Sequence, residues 1–128
     1  MTPIEEAKQR ALIEIDLAAG TMRLKHITTV YGQEQVYIEK SNEAVDYMAE
    51  HFPEDVTNYP FIEAESKSLN ITTKEAAVNI LKAKSKWVVS MAAIERERLR
   101  GKYQIHKAPD ISTILKIEKD TIEILKQL

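Results

Sequence analysis

The sequence predicts an all-α fold, a small helical bundle of three principal helices with a short helix and a C-terminal helix, and three observations carry that expectation. Only three glycines and four prolines interrupt 128 residues, too few turn formers for a sheet of many short strands. Thr2-Pro3-Ile4-Glu5 and Thr72-Thr73-Lys74-Glu75 both read as capping boxes, in which a threonine and a glutamate satisfy the free amides of a helix start. Between Thr72 and Lys102, finally, Ile80, Trp87 and Ile94 recur every seven residues ahead of Glu95-Arg96-Glu97-Arg98-Leu99-Arg100. A repeat of that kind seals one helix against others and supplies no reagent.

The first helix starts at the Thr2 cap, where Pro3 gives up an amide proton that has no partner anyway, and runs to about Ile27. Ala11, Ile15, Ala18 and Met22 form its apolar stripe, widened by Leu12 and Ala19. Ala18-Ala19-Gly20 permits a close neighbour, and Gly20, which lowers helix propensity by about 1 kcal/mol relative to alanine, implies a packing reason or a bend. His26-Ile27-Thr28-Thr29-Val30-Tyr31-Gly32 is rich in β-branched residues and reads as an interhelical connection; the alternative, a short strand, has no obvious partner strand. A second helix covers about Gln33 to His51. Ile38, Ser41, Val45, Met48 and Phe52 form its stripe, expected to meet helix one in an antiparallel hairpin.

Phe52-Pro53 through Tyr59-Pro60 is a break, because each proline disfavours helical geometry in the residue before it. A short helix follows from Pro60 to about Leu69, and the major helix runs from Thr72 to around Lys102, or as far as His106, with Gly101 a weakening point. Ile80, Trp87, Met91 and Ile94 are its candidate core anchors; a ligand pocket around Trp87, Met91 and Ile94 is the alternative reading. After Ala108-Pro109, Asp110 or Ser112 can cap a last helix on which Ile111, Ile114, Leu115, Ile117, Ile122, Ile124, Leu125 and Leu128 take up nearly half the circumference. Such a face must be buried, either by folding back on the body or by packing against copies of itself. The expected division is therefore a helical body over 1–107 and a C-terminal amphipathic helix over 108–128, an oligomerisation or docking element whose eight apolar residues are the candidate protein-contact surface.

Composition bounds the function classes. The chain has no cysteine, which excludes a disulfide framework, a thiolate nucleophile and cysteine-ligated zinc. With 18 Lys plus Arg against 20 Asp plus Glu, a formal charge of -2 gives no overall pull toward nucleic acid or an anionic membrane. No apolar run approaches the roughly 20 residues that cross a bilayer. The acidic start lacks the basic region and apolar core of a secretion signal, so the chain is expected to be soluble and made in the cytosol.

Chemistry-bearing constellations are sparse. His26, His51 and His106 are scattered and make no metal-binding pair, and no phosphate-cradling glycine loop or nucleophile elbow is present. Glu5-Glu6, Glu54-Asp55 and Glu63 with Glu65 fall at helix starts or in a loop, where acidic side chains complement the helix dipole. Arg96, Arg98, Arg100 and Lys102 raise a nucleic-acid reading, but Glu95 and Glu97 interleave with them as on a solvated, salt-bridged face. Asp16 interrupts the apolar run of helix one two turns before Arg23, either as a solvated edge or as a boundary ion pair. The expectation is a protein without catalytic activity, cofactor or metal.

Several small motifs occur in a consistent order: Ile15-Asp16, Ala18-Ala19-Gly20, Arg23, Ile27-Thr28, Gly32-Gln33, Tyr37-x-Glu39-Lys40, Glu43-Ala44, Tyr59-Pro60, Glu63, Glu65, Ala83, Trp87, then Ala93-Ile94-Glu95-Arg96 with Arg98 and Gly101-Lys102. In this order the chain resembles, from about Ile13 to Ile105, a family of small helical proteins of tailed bacteriophages and prophages, encoded near tail-fibre and baseplate genes. The resemblance implies a virion structural protein of the tail, baseplate or fibre, made in the host cytoplasm and acting through contacts with other phage structural proteins, or else a tail-fibre assembly chaperone. It carries no catalytic residue. The chain departs from alanine-rich members in its bulkier and more charged residues, and 110–128 lies outside the match. An isoleucine-rich helix there suits homo-oligomerisation, since isoleucine at both core positions favours higher-order coiled coils. A small nucleic-acid-binding protein remains the further alternative.

Overall fold

A computed structural model describes residues 1–27 and 33–128, so the expected connection or strand over 28–32 lies outside the described residues. Five helices and no strand are present among them: α1 (Pro3–Lys25), α2 (Gln33–Ala49), α3 (Pro60–Leu69), α4 (Thr73–Lys107) and α5 (Ile111–Lys126). The all-α expectation holds. The Thr2 capping box is complete, with Glu5 N–H donating to Thr2 Oγ1 (3.2 Å) and Thr2 N–H to Glu5 Oε2 (3.0 Å); at Thr72 only its first half forms, Glu75 N–H donating to Thr72 Oγ1 (3.0 Å), while the Thr72 hydroxyl and not its amide reaches Glu75 Oε1 (3.1 Å). At the last helix Asp110, and not Ser112, is the cap, accepting from Thr113 N–H at 2.8 Å.

The chain divides into two compact units, one formed by Met1–Ile27 with Val89–Leu128 and the other by Thr28–Val88. The expected boundary at 107/108 is not where they part, because α5 packs against α1.

In the first unit, Lys8 Nζ donates to the carbonyl of His106 at 2.9 Å and Arg23 reaches Glu95, so α1 and the end of α4 run antiparallel. The turn at Ala108-Pro109-Asp110 reverses the chain, and α5 returns alongside α1 in the same direction, ending with the Leu128 carbonyl 3.1 Å from His26 Nε2. The core is built from Ala7, Ala11, Ile15, Ala19 and Met22 of α1, Ile94 and Ile105 of α4, and Ile114 and Leu125 of α5. The α1 stripe is thus the expected one. Gly20 is different: a methyl group there would meet nothing within 4 Å, so the close neighbour expected at Ala18-Ala19-Gly20 is met at Ala19 and not at the glycine.

The wide face of α5 is resolved in favour of folding back. Ile114 and Leu125 are core residues and leave the set of contact candidates, Ile117 packs on the core, and Ile122 is half-buried. Ile111, Leu115, Ile124 and Leu128 stay exposed. A helix packed in a bundle has one inner arc, and eight apolar residues exceed it.

In the second unit Ala44, Tyr47, Ile62, Ala77 and Ile80 form the core, with Phe52, Val56, Tyr59 and Leu81 packed on it. The expected α2 stripe is corrected: Ile38, Val45 and Met48 are exposed, and the buried face carries Ser41, Ala44 and Tyr47. The helix is turned about one residue from the expectation, because Tyr47 is its anchor. Tyr47 is fully buried, edge-on to Tyr59 (4.9 Å) and Phe52 (5.7 Å), and its hydroxyl donates to the Pro53 carbonyl at 2.9 Å while lying 2.8 Å from Thr73 Oγ1. Within this unit α2 packs on α3. Tyr47→Phe is expected to destabilise the protein by about 1 kcal/mol in urea unfolding, because it removes the hydrogen bonds of that hydroxyl to its partly buried partners.

The spine of α4 is shared out. Ile80 belongs to the core of the second unit and Ile94 to that of the first; Met91 is partly buried against the latter. Trp87 is half-buried, its ring 5.7 Å from that of Tyr37 and tilted by 48°. Gly101 does not weaken the helix, which continues through it to Lys107.

Candidate functional site

Charged residues meet across helices in two places. In the first unit they make a chain of alternating charge between α1 and α4. Lys102 Nζ lies 3.0 Å from Asp16 Oδ2, Arg98 Nε donates to Asp16 Oδ1 at 2.8 Å, Arg98 Nη1 donates to Glu95 Oε1 at 2.6 Å, and Arg23 Nη2 donates to Glu95 Oε2 at 2.5 Å. Asp16 is thus a boundary ion pair, but its partners are on α4, and Arg23 pairs with Glu95. Burial raises the Asp16 pKa, and the hydrogen bonds and charges of Lys102 and Arg98 outweigh it, so the carboxyl is held below its ordinary 3.8.

A depressed carboxylate pKa contributes stability that is present above the unfolded value and lost as pH falls through the folded one. The stability difference between the wild type and Asp16→Asn is therefore expected to be full near neutral pH and to shrink below about pH 4. Since the Asp16 side chain is 44% exposed, its size is set by solvent screening at roughly 0.2–1 kcal/mol, and it falls with added salt. Urea titrations at several pH values read both effects.

The same network bears on the arginines. Arg98 is turned into the α1–α4 contact, with a side chain 25% exposed, whereas Arg96 and Arg100 are exposed at 3.5 and 3.8 Å from the carboxylate of Glu97. The three do not form one cationic face.

The second gathering is in the other unit. Tyr59 offers α3 no side-chain cap, and Glu43 of α2 takes that role, accepting from Ile62 N–H at 2.8 Å. Burial raises the Glu43 pKa against the opposing pull of the Ile62 and Phe61 amides. One turn earlier Lys40 pairs with Glu65 of α3, and both side chains are largely shielded. Beside this pair opens a pocket of about 230 Å³ lined by Tyr37, Lys40, Ser41, Glu65, Asn79 and Ala83, with Leu69 and Ile80 completing its wall. Burial raises the Tyr37 pKa, so its phenol keeps its proton at physiological pH. Ser41 is 4% exposed, and its hydroxyl has no hydrogen-bond partner among the described residues.

The residue pattern puts Ser41 on an apolar stripe and Glu65 at a helix start, and so does not assemble this pocket. The available signal was a serine at a core position of α2 beside a lysine, with an opposite charge on the next helix. The expected C-terminal contact residues lie elsewhere, in the first unit, and the core anchors are divided as described. Among the described residues no group of three or more histidine, aspartate and glutamate side chains is placed to hold a metal ion, and no helix is long and apolar enough to cross a membrane. Compared with known proteins, the chain matches no family model, no curated protein and no solved structure.

Proposed function

We propose that this chain is a non-enzymatic structural protein of a tailed-bacteriophage particle, associated with the tail, baseplate or fibre and acting through contacts with other phage structural proteins and with copies of itself. The motif order from Ile15 to Lys102 supports the phage assignment. One structural observation supports action through contacts: apolar side chains occupy outward faces beside a core that is already filled. Ile13, Leu17 and Leu24 lie on one exposed face of α1, and Ile111, Leu115 and Ile124 are exposed on α5 of the same unit. The apolar face of α1 suits burial against a protein partner.

Mass spectrometry of purified, salt-washed particles tests the reading. A structural protein is recovered with a fixed copy number relative to the major tail proteins. Absence from the particles together with capture on the fibre protein in lysate would replace the reading with that of an assembly chaperone. Absence from both would remove the phage assignment.

A further inference from the structure

We propose that the outward face of α1 pairs two-fold and antiparallel with the same face of a second copy of this chain, closing around Gly20. Ile13, Leu17, Gly20 and Leu24 follow one another at spacings of four, three and four residues, which sets them on one stripe of the helix. Ala11, Ile15, Ala19 and Met22 fill the core from the opposite side, so the stripe is a second apolar face of the same helix. Its three aliphatic side chains are all more than half exposed. Gly20 has no role within the fold: α1 runs through it from Pro3 to Lys25, glycine is the least favourable residue there after proline, and a Cβ would meet nothing within 4 Å.

The stripe complements itself when two copies run antiparallel. Leu17 of each then stands over Gly20 of the other, and Ile13 stands against Leu24, so the glycine becomes the hole that takes a leucine. A parallel pairing in register sets each residue against its own copy, with Gly20 on Gly20 as a gap and Arg10 on Arg10 as a repulsion. Charge favours the same orientation. On one flank of the stripe Asp16 and Arg23 are held by α4 of their own chain. The other flank carries Glu14 and Lys25, both exposed and without an ion pair among the described residues. Antiparallel pairing turns like flanks toward each other and brings Glu14 level with Lys25 of the second copy, twice by symmetry. From Ile13 to Leu24 the stripe is about 17 Å long. A contact of that length lies at the low end of interface sizes, so the dimer is expected to be weak, with a Kd of about 10–500 μM.

The inference rests on the contact reading proposed above and names the occupant of one of its faces. Sedimentation equilibrium of the full chain up to about 1 mM tests it, and a reversible monomer–dimer equilibrium is expected. Leu17→Glu is expected to abolish the dimer with the fold kept, since the position is exposed in the monomer. Gly20→Leu separates a shaped seat from a merely apolar surface. It adds apolar area, yet it is expected to weaken dimerisation at least about tenfold by filling the hole, while Tm in dilute solution holds or rises. Glu14→Lys and Lys25→Glu are each expected to weaken the dimer about threefold, and the two together to restore it to within about twofold.

A chain that stays monomeric throughout overturns the proposal, as does dimerisation unchanged by Leu17→Glu. Association unchanged or strengthened by Gly20→Leu removes the seat at the glycine, and a lowered Tm in that variant shows that the position is not open. Failure of the double charge reversal to restore the dimer removes the antiparallel orientation. Recovery of a monomeric chain from particles at fixed copy number would leave the proposed function standing and remove this inference alone, whereas a dimer formed by a chain absent from particles does the reverse.

Discussion

Ile114→Ala is expected to destabilise the first unit by about 2–5 kcal/mol, whereas Leu115→Ala, one residue along the same helix, is expected to change stability by no more than about 0.5 kcal/mol. Ile114 is 0% exposed and sits in the core with Ile15, Ile94 and Leu125; Leu115 is 53% exposed. Both are large aliphatic residues on α5, so only the direction each faces separates them. Removing Ile114 forfeits the transfer energy of three carbon atoms and leaves a void that neighbouring side chains fill only in part. Thermal and urea unfolding followed by circular dichroism measure the pair, and Trp87 fluorescence separately reports the other unit, in which that residue lies. Equal effects at the two positions would mean that α5 is not seated on α1 as described. If Leu115 is a contact residue, its alanine variant should keep its stability and lose partner binding, a combination that Ile114→Ala does not give.

Where helices begin and end was legible from particular residues. Thr2, Thr72, Asp110 and the prolines at 3, 53, 60 and 109 act on their own neighbours, and each does in the structure what local chemistry requires. Facing was harder. On α2 the aliphatic Ile38, Val45 and Met48 mark an apolar stripe by residue type, but the buried face belongs to Tyr47, whose hydroxyl finds Pro53 and Thr73. A tyrosine is a good core residue only when its polar end is satisfied, and that depends on residues distant in sequence. The seven-residue repeat of α4 likewise showed which side is buried without showing that Ile80 and Ile94 serve different cores. The candidate site was the least legible part. Lys40 meets Glu65 and Asp16 meets Arg98 across helices, and periodicity describes one helix at a time.

Gly101 joins these levels, and its substitution is expected to change sign with the residue opposite. In isolation Gly→Ala inside a long helix is favourable by about 1 kcal/mol, because glycine loses more backbone freedom on folding. Here a Cβ on Gly101 would lie 2.4 Å from Thr121 Cγ2, 2.7 Å from Oγ1 and 3.1 Å from Cβ. Thr121 is buried on α5 and branched at Cβ, so rotating its side chain exchanges one clash for another. The two helices have to separate, and overpacking of this kind costs about 1–3 kcal/mol. Gly101→Ala is therefore expected to be destabilising by up to about 2 kcal/mol, and Gly101→Leu by more. Thr121→Ala removes the two nearest atoms and leaves only the 3.1 Å contact, which a shift of a few tenths of an ångström relieves. In that background Gly101→Ala should be neutral or stabilising by up to about 1 kcal/mol. A double-mutant cycle by urea unfolding reads the reversal directly. Were Gly101→Ala to stabilise the wild type, α4 and α5 would have to lie farther apart than described, and the seating of α5 that leaves Leu115 and Ile124 outward would go with it.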